Sequence, residues 1–211
     1  MPYVSLHTYR AYVKLGVMRR TAAAAARTRG GLVEAGAAYF RDHPYDEVAL
    51  EDVAAELGVT RGAIYHHFGS KRDFFIAVVE KALADLRDQI VTAAGKAGSG
   101  WKGIAAGCNV FLAAGADEKF RRIVLVDAPA VLGRETWTAI DDRTTGASLR
   151  AALDNLAAAG AVATEDVEAL TVGISGAINE LSLWVASQPS NRKALTRAQA
   201  IVSAMLTAFQ A

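Results

Sequence analysis

The side chains with chemical potential crowd into one short stretch. Between Thr60 and Lys71 stand a guanidinium (Arg61), a phenol (Tyr65), two imidazoles (His66, His67) and an ammonium (Lys71), interleaved with the small residues Gly62 and Ala63. Acid–base catalysis would pair His66 or His67 with a nearby carboxylate. Adjacent positions on a helix diverge by about 100°, so the two imidazoles cannot share one metal or one substrate. Neither an HExxH pattern nor a nucleophile elbow is present. All four histidines (His7, His43, His66, His67) precede residue 68 and Cys108 is the single cysteine. Neither a transition-metal site, a cofactor nor an intramolecular disulfide is therefore expected. The same residues suit nucleic acid better, because small residues let a backbone approach base edges while Tyr, His and Lys reach phosphates or bases.

Two short helices must position that stretch. Leu50, Val53, Ala54 and Leu57 recur at i, i+3, i+4 and i+7, Glu51 and Asp52 suit a first turn, and Gly58 stops the helix. Thr60 is a good N-cap for a next helix running to Phe68, and Gly69 ends it. Stepping 100° per residue from Ile64, taken as buried, places Phe68 beside it. Gly62, Ala63, His66 and, at the margin, Tyr65 then point away. Helix, glycine-containing turn, helix is the arrangement whose second helix enters a major groove. An ordinary αα-hairpin shares the packing, but a merely solvated face would more often carry Glu and Lys.

Flanking helices follow from the same signals. One runs from about Ala23 to Asp42 with Leu32, Val33, Ala37 and Phe40 on one face, and His43-Pro44 ends it. Ser70 opens another that continues to about Ala94 and breaks in the glycine-rich stretch 95–100. Lys71 stands at its start, where free N–H groups and the positive dipole end favour a phosphate.

The run Leu50-Glu51-Asp52-Val53-Ala54 followed by Gly58-Val59-Thr60-Arg61-Gly62-Ala63-Ile64-Tyr65-His66-His67-Phe68-Gly69-Ser70-Lys71 resembles the DNA-binding signature of the tetracycline-repressor (TetR) family, a likeness that covers about residues 27–80. The resemblance implies that Thr60, Arg61, Gly62, Ala63 and Tyr65 face an operator, with Tyr65, His66 and Lys71 at phosphates. His67 aligns with a histidine common in that family, as a packed side chain or a DNA contact. The basic N-terminus is longer than many members carry, so a DNA role for Arg19, Arg20 or Arg27 does not transfer.

Composition and charge agree with this reading. Apolar residues make up 52% of 211 positions with only 4 prolines, in long Ala-rich stretches without strand-like alternation, which predicts an all-α protein. Net charge is +1, but residues 1–72 hold 10 Lys and Arg against 7 Asp and Glu, an excess of three positive charges in the N-terminal third. We divide the chain into a basic arm (1–22), a three-helix helix-turn-helix domain (23–70) and a larger helical effector-binding and dimerisation domain (71–211). An Arg-rich, acid-poor start also resembles a transit peptide, though it lacks the apolar core of a secretory signal, and a start upstream of the natural Met18 is a further alternative. No run approaches 18 apolar residues free of charge, so no membrane span is expected. The lone cysteine fits a reducing cytoplasm.

Beyond the glycine-rich break the pattern stays helical, over roughly 101–114, 118–126, 134–159, 165–187 and 191–209, punctuated by Pro129, Gly133, Gly160 and Pro189. The segment from Phe120-Arg121-Arg122-Ile123-Val124-Leu125-Val126-Asp127 through Gly133 also resembles one common variety of TetR C-terminal domain. A pocket between helices is apolar with a few polar groups. Its candidates are Cys108, Phe111, Val124, Asp127, Trp137, Asn179 and Trp184, for each of which plain core packing is the commoner explanation. The resemblance implies a small organic effector of unspecified identity. In the last two segments, Val167, Leu170, Ile174, Ala177, Leu181 and Val185 form one stripe and Ile201, Val202, Met205, Leu206 and Phe209 another, with Gly173 and Gly176 allowing close approach. One stripe per helix would suffice for a monomer core. The family pairs these two helices with a second copy, and a symmetric homodimer suits a palindromic operator. The function expected is a ligand-released repressor; the alternatives are a helical enzyme and a dimeric interaction protein without DNA affinity.

Overall fold

The computed structural model describes residues 6–211, with side chains from residue 23 onward. Among the described residues the chain is helical throughout, apart from turns and one isolated bridge between Val162 and Gln210.

The N-terminal head is α1 (Leu6–Asp42), a single 3-10 turn at Tyr45–Glu47, α2 (Leu50–Glu56) and α3 (Arg61–Phe68). Helix α1 is already helical at Leu6, the first described residue, rather than starting near Ala23, since the alanine run before Arg27 contains no breaker and alanine has the highest helix propensity. The reading of residues 1–22 as a basic arm, and the side chains of Arg19 and Arg20, lie outside the described side chains. The head closes around Leu32, Phe40, Val53, Ile64, Phe74 and Phe75, all without solvent exposure. Its aromatic rings interlock, with Phe40–Phe75 and Phe68–Phe74 centroids both 4.8 Å apart. Gly36 is required here, since a Cβ on it would overlap the Phe74 ring. Gly69 adopts φ +83°, which an L side chain rarely takes, and so turns the chain from α3 into the next helix.

That helix, α4 (Lys71–Ala97), is capped by Ser70, whose hydroxyl accepts from the Asp73 N–H at 3.0 Å. It packs against both α1 and the helices of the C-terminal body. The body is built around α5 (Trp101–Ala116), which contacts α4, α10 (Val167–Ser187) and α11 (Asn191–Ala208). Segment 118–126 is not one α-helix. A turn of α6 (Glu118–Arg121) passes into a π-helical stretch (Arg122–Asp127) and then α7 (Ala128–Leu132). Pro129 falls within the first turn of α7, where its missing N–H costs nothing, and so does not end the helix. Segment 134–159 also divides, into α8 (Arg134–Asp142) and α9 (Thr145–Ala158). The corner is Thr144, at φ −120° and ψ −100°, whose hydroxyl donates back to the Ile140 carbonyl at 2.8 Å. Gly146 permits the tight turn, because a Cβ there would sit 3.1 Å from the Asp141 carbonyl oxygen. Helix α10 starts at Val167 rather than at residue 165, and the Asp166 carboxylate caps it by accepting from the Ala169 N–H at 2.9 Å.

Helix α10 has the length and hydropathy of a bilayer span by composition alone. It carries Glu168 and Glu180, and it packs against α5, α9 and α11. Polar links join head to body: Arg122 Nη1 donates to the Arg41 carbonyl at 3.3 Å and Lys119 pairs with Asp42 at 2.8 Å, while Arg72 Nη2 at the start of α4 donates to the Leu132 carbonyl at 2.8 Å.

Candidate DNA-binding face and ligand cavity

Helix α3 is anchored from one side only. Ile64 has no solvent exposure and Phe68 only 9%, whereas Arg61, Gly62, Tyr65 and His66 are exposed and Ala63 is half-buried. A Cβ on Gly62 would meet only the Thr60 hydroxyl, at 3.6 Å, so the face beyond it is open. Thr60 takes the N-cap position, but its hydroxyl makes no capping hydrogen bond and stays available to an outside partner. His67 is half-buried, its ring edge-on to His66 at 5.5 Å and tilted against Phe68 at 6.2 Å, so it flanks the core.

The sequence did not show what holds Arg61. Its guanidinium pairs with Glu51 on α2 at 2.6 Å and donates to the Tyr65 hydroxyl at 3.0 Å, while lying 5.1 Å over the Tyr65 ring. Glu51, Arg61 and Tyr65 thus tie the two helices together across their exposed rim. Such an exposed pair adds little stability; its effect is to pre-set two side chains on the outer face. Lys71 lies 4.5 Å over the Tyr45 ring, with Nζ 3.5 Å from the Asp46 carbonyl oxygen. It therefore stands at the first turn of α4 beside α3. Arg27 is exposed, and Arg29 lies 4.7 Å over the Phe68 ring.

The seven ligand-site candidates separate. Cys108, Phe111 and Asn179 line one cavity of about 400 Å³ among α4, α5, α8, α9 and α10. Its apolar wall includes Ile90, Ile104, Leu149 and Ile178, and its polar groups are Asp141, Thr145, Ser148, Asn155, Ser175 and Asn179. Burial pushes the Cys108 thiol up to about 12, so it is a neutral, inert group. Val124, Asp127, Trp137 and Trp184 do not line this cavity. Val124 is core, and its carbonyl accepts from the Trp137 indole at 2.8 Å. Trp184 lies in an outer groove between α10 and α11, under the Arg197 guanidinium at 5.1 Å. Asp127 ends the π-helical stretch near Tyr45 of the head. Burial raises its carboxyl above the usual carboxylate range, against the opposing pull of the Tyr45 backbone and Arg122, and among the described residues its Oδ2 has no hydrogen-bond partner. Asp141 was missed, because the run Asp141-Asp142-Arg143 has the composition of a surface turn.

A one-sided helix-turn-helix mounted on a larger helical body that encloses an apolar cavity defines the class of ligand-responsive DNA-binding regulators. Residues 32–78 match the family described as bacterial regulatory proteins, tetR family, and residues 101–209 match the tetracyclin repressor-like C-terminal domain. The crystal structure of a TetR-family transcriptional regulator from Pectobacterium atrosepticum superposes with a TM-score of 0.74 at 30% identity, covering 89% of this chain and 96% of that one. The HTH-type transcriptional repressor BepR of Brucella suis is 42% identical over 65 residues, which are 31% of each protein. A probable acrEF/envCD operon repressor of Escherichia coli is 44% identical over 57 residues, 27% of this chain and 26% of that protein. The matches to these curated relatives thus span about a third or less of their length. This chain belongs to the TetR family, whose members are DNA-binding transcriptional regulators rather than enzymes.

Proposed function

We propose that the protein is a cytoplasmic repressor that binds a palindromic operator as a homodimer through α3 and is released when a small organic molecule fills the cavity. The observation that carries this is α4, which supports both ends. Lys71 at its start stands beside α3, and Ile90, Val91 and Ala94 near its end line the cavity. At 1.5 Å per residue these lie about 28 to 35 Å from Lys71 on one rigid rod. A tilt imposed at the cavity must move the head. Two heads must stand about 34–36 Å apart to enter successive major grooves, so a shift of a few ångströms breaks the register. A ligand that favours the shifted form with a coupling of about 1–3 kcal/mol weakens operator binding about 5- to 150-fold.

On DNA, Thr60, Arg61, Gly62, Ala63 and Tyr65 meet the groove, and Tyr65, His66 and Lys71 reach phosphates, with His67 supporting the helix from its flank. Arg61 exchanges Glu51 for the operator. The dimer surface is the outer side of α10 and α11. Val167, Leu170, Ile174, Val185, Val202 and Leu206 of the two apolar stripes are buried in the protomer's own core. The face left over holds Val172, 68% exposed, Ile201, 53% exposed, and Gly173 and Gly176, whose Cβ positions meet nothing within 4 Å. Footprinting on the DNA upstream of its own coding sequence, with and without candidate ligands, tests the proposal. A protected palindrome that ligand releases is expected, and no protection at any protein concentration would refute it.

A further inference from the structure

The cavity wall has an uneven charge. Asp141 is only 9% exposed and lines the cavity from the last turn of α8, the negative end of that helix dipole. One carboxylate oxygen accepts from the Thr145 hydroxyl, and among the described residues its other oxygen has no donor. Among the described residues no Lys, Arg or His lines the cavity, and Cys108 is neutral there. The neighbouring charge that acts on Asp141 is Asp142, which is also negative, and burial is the larger of the influences that raise its carboxyl. A buried charge is normally matched by an opposite charge or left costly. Here no cationic side chain among the described residues supplies that match, and Asp141 borders the cavity.

We propose that the cavity selects organic cations, taking an apolar body that carries one protonated amine to pair with the Asp141 carboxylate. This rests on the reading of the cavity as the effector site. The ammonium meets a carboxylate already held in place by Thr145, while Phe111, Ile104 and Ile178 enclose the apolar part. A cavity of about 400 Å³ falls in the range that takes small drug-like molecules. Anionic ligands meet the Asp141 carboxylate with no cationic side chain in the described lining to offset it. Neutral ligands gain the apolar contact and leave the carboxylate unmatched.

Isothermal titration of the full chain with three probes of one skeleton, 4-phenylbutylamine, 4-phenylbutanol and 4-phenylbutanoate, tests this. A charge-assisted hydrogen bond predicts that the amine binds about 10- to 100-fold more tightly than the alcohol and that the carboxylate binds most weakly. Asp141→Asn, which preserves shape and an acceptor for Thr145, should remove most of the amine's advantage and leave the alcohol within about twofold. Equal binding of amine and alcohol by the wild type would overturn the cation preference and leave the cavity an effector site. An amine preference that survives Asp141→Asn would also overturn the proposal. Binding of none of the three would overturn both the preference and the effector site. Operator binding by the wild-type protein, measured alongside, reports separately on the regulator reading.

Discussion

Substitution of Gly62 separates the stability of the head from its ability to read DNA. Gly62 lies in the first turn of α3 and is exposed, and a Cβ added there meets one hydroxyl at ordinary van der Waals distance. Gly62→Ala and Gly62→Leu should therefore not harm the fold. Relief of glycine's backbone entropy should stabilise it by about 0.5–1 kcal/mol, or roughly 1–4 °C in Tm for a chain of this size. On DNA the balance reverses. A helix with its side chains is about 10–12 Å across, and the major groove is about 12 Å wide, which leaves no room for a leucine on the inward face. If each half-site loses one base contact, at about 1–3 kcal/mol, the dimer loses about 2–6 kcal/mol. Affinity should then fall at least about 30-fold for Gly62→Leu, measured by fluorescence anisotropy on the footprinted operator, with calorimetry for Tm. Full operator affinity in Gly62→Leu would refute the assignment of the reading face. A Tm lowered by several degrees would show that the face is packed rather than open.

Lys71→Ala should weaken binding alike on all DNA sequences and, with two lysines per dimer, reduce the slope of log K against log salt by about 1.8; an unchanged slope would confine Lys71 to its contacts with Tyr45 and Asp46. Ile201→Asp should leave the protomer folded, because Ile201 is exposed in it, while placing an unpaired charge in the dimer contact at a cost of several kcal/mol. Sedimentation that still showed a dimer would move the interface elsewhere. Asp141 has a raised native carboxyl, so the native state holds its proton more tightly than the unfolded chain does. The penalty is absent below the ordinary value near 3.9 and fully present above the raised one. Asp141→Asn should therefore be more stable than the wild type in urea at pH 7, with the gain shrinking as pH falls toward 3.9, and a gain independent of pH would contradict this.

The head was legible because its determinants are local. Leu50, Val53 and Ala54 repeat on one face of α2, and Ile64 and Phe68 do so on α3; these five are buried as their spacing predicts, whereas Leu57 of the same repeat falls just past the end of α2 and is 40% exposed. The glycine stops at Gly58 and Gly69 are positive-φ residues in the structure. The body was legible in its helix content and less so in its breaks. The run Asp141 to Thr145 contains neither Gly nor Pro, and the corner at Thr144 is made by a back-bonded hydroxyl and the small Gly146.

By itself the sequence determined the helical class, the helix-turn-helix, its family and the open face of α3. Each of these depends on residue types within a turn or two of one another. Tertiary structure decided which apolar stripe of α10 is core, because a helix with neighbours on several sides has more than one buried face and periodicity cannot rank them. It decided that Glu51 holds Arg61, across a turn whose angle no local pattern specifies. It placed Asp141, from a stretch with the composition of a surface loop, against an apolar cavity together with Cys108, Phe111 and Asn179. A cavity is a place where several helices fail to meet, and that depends on all of their paths at once, which no single segment encodes.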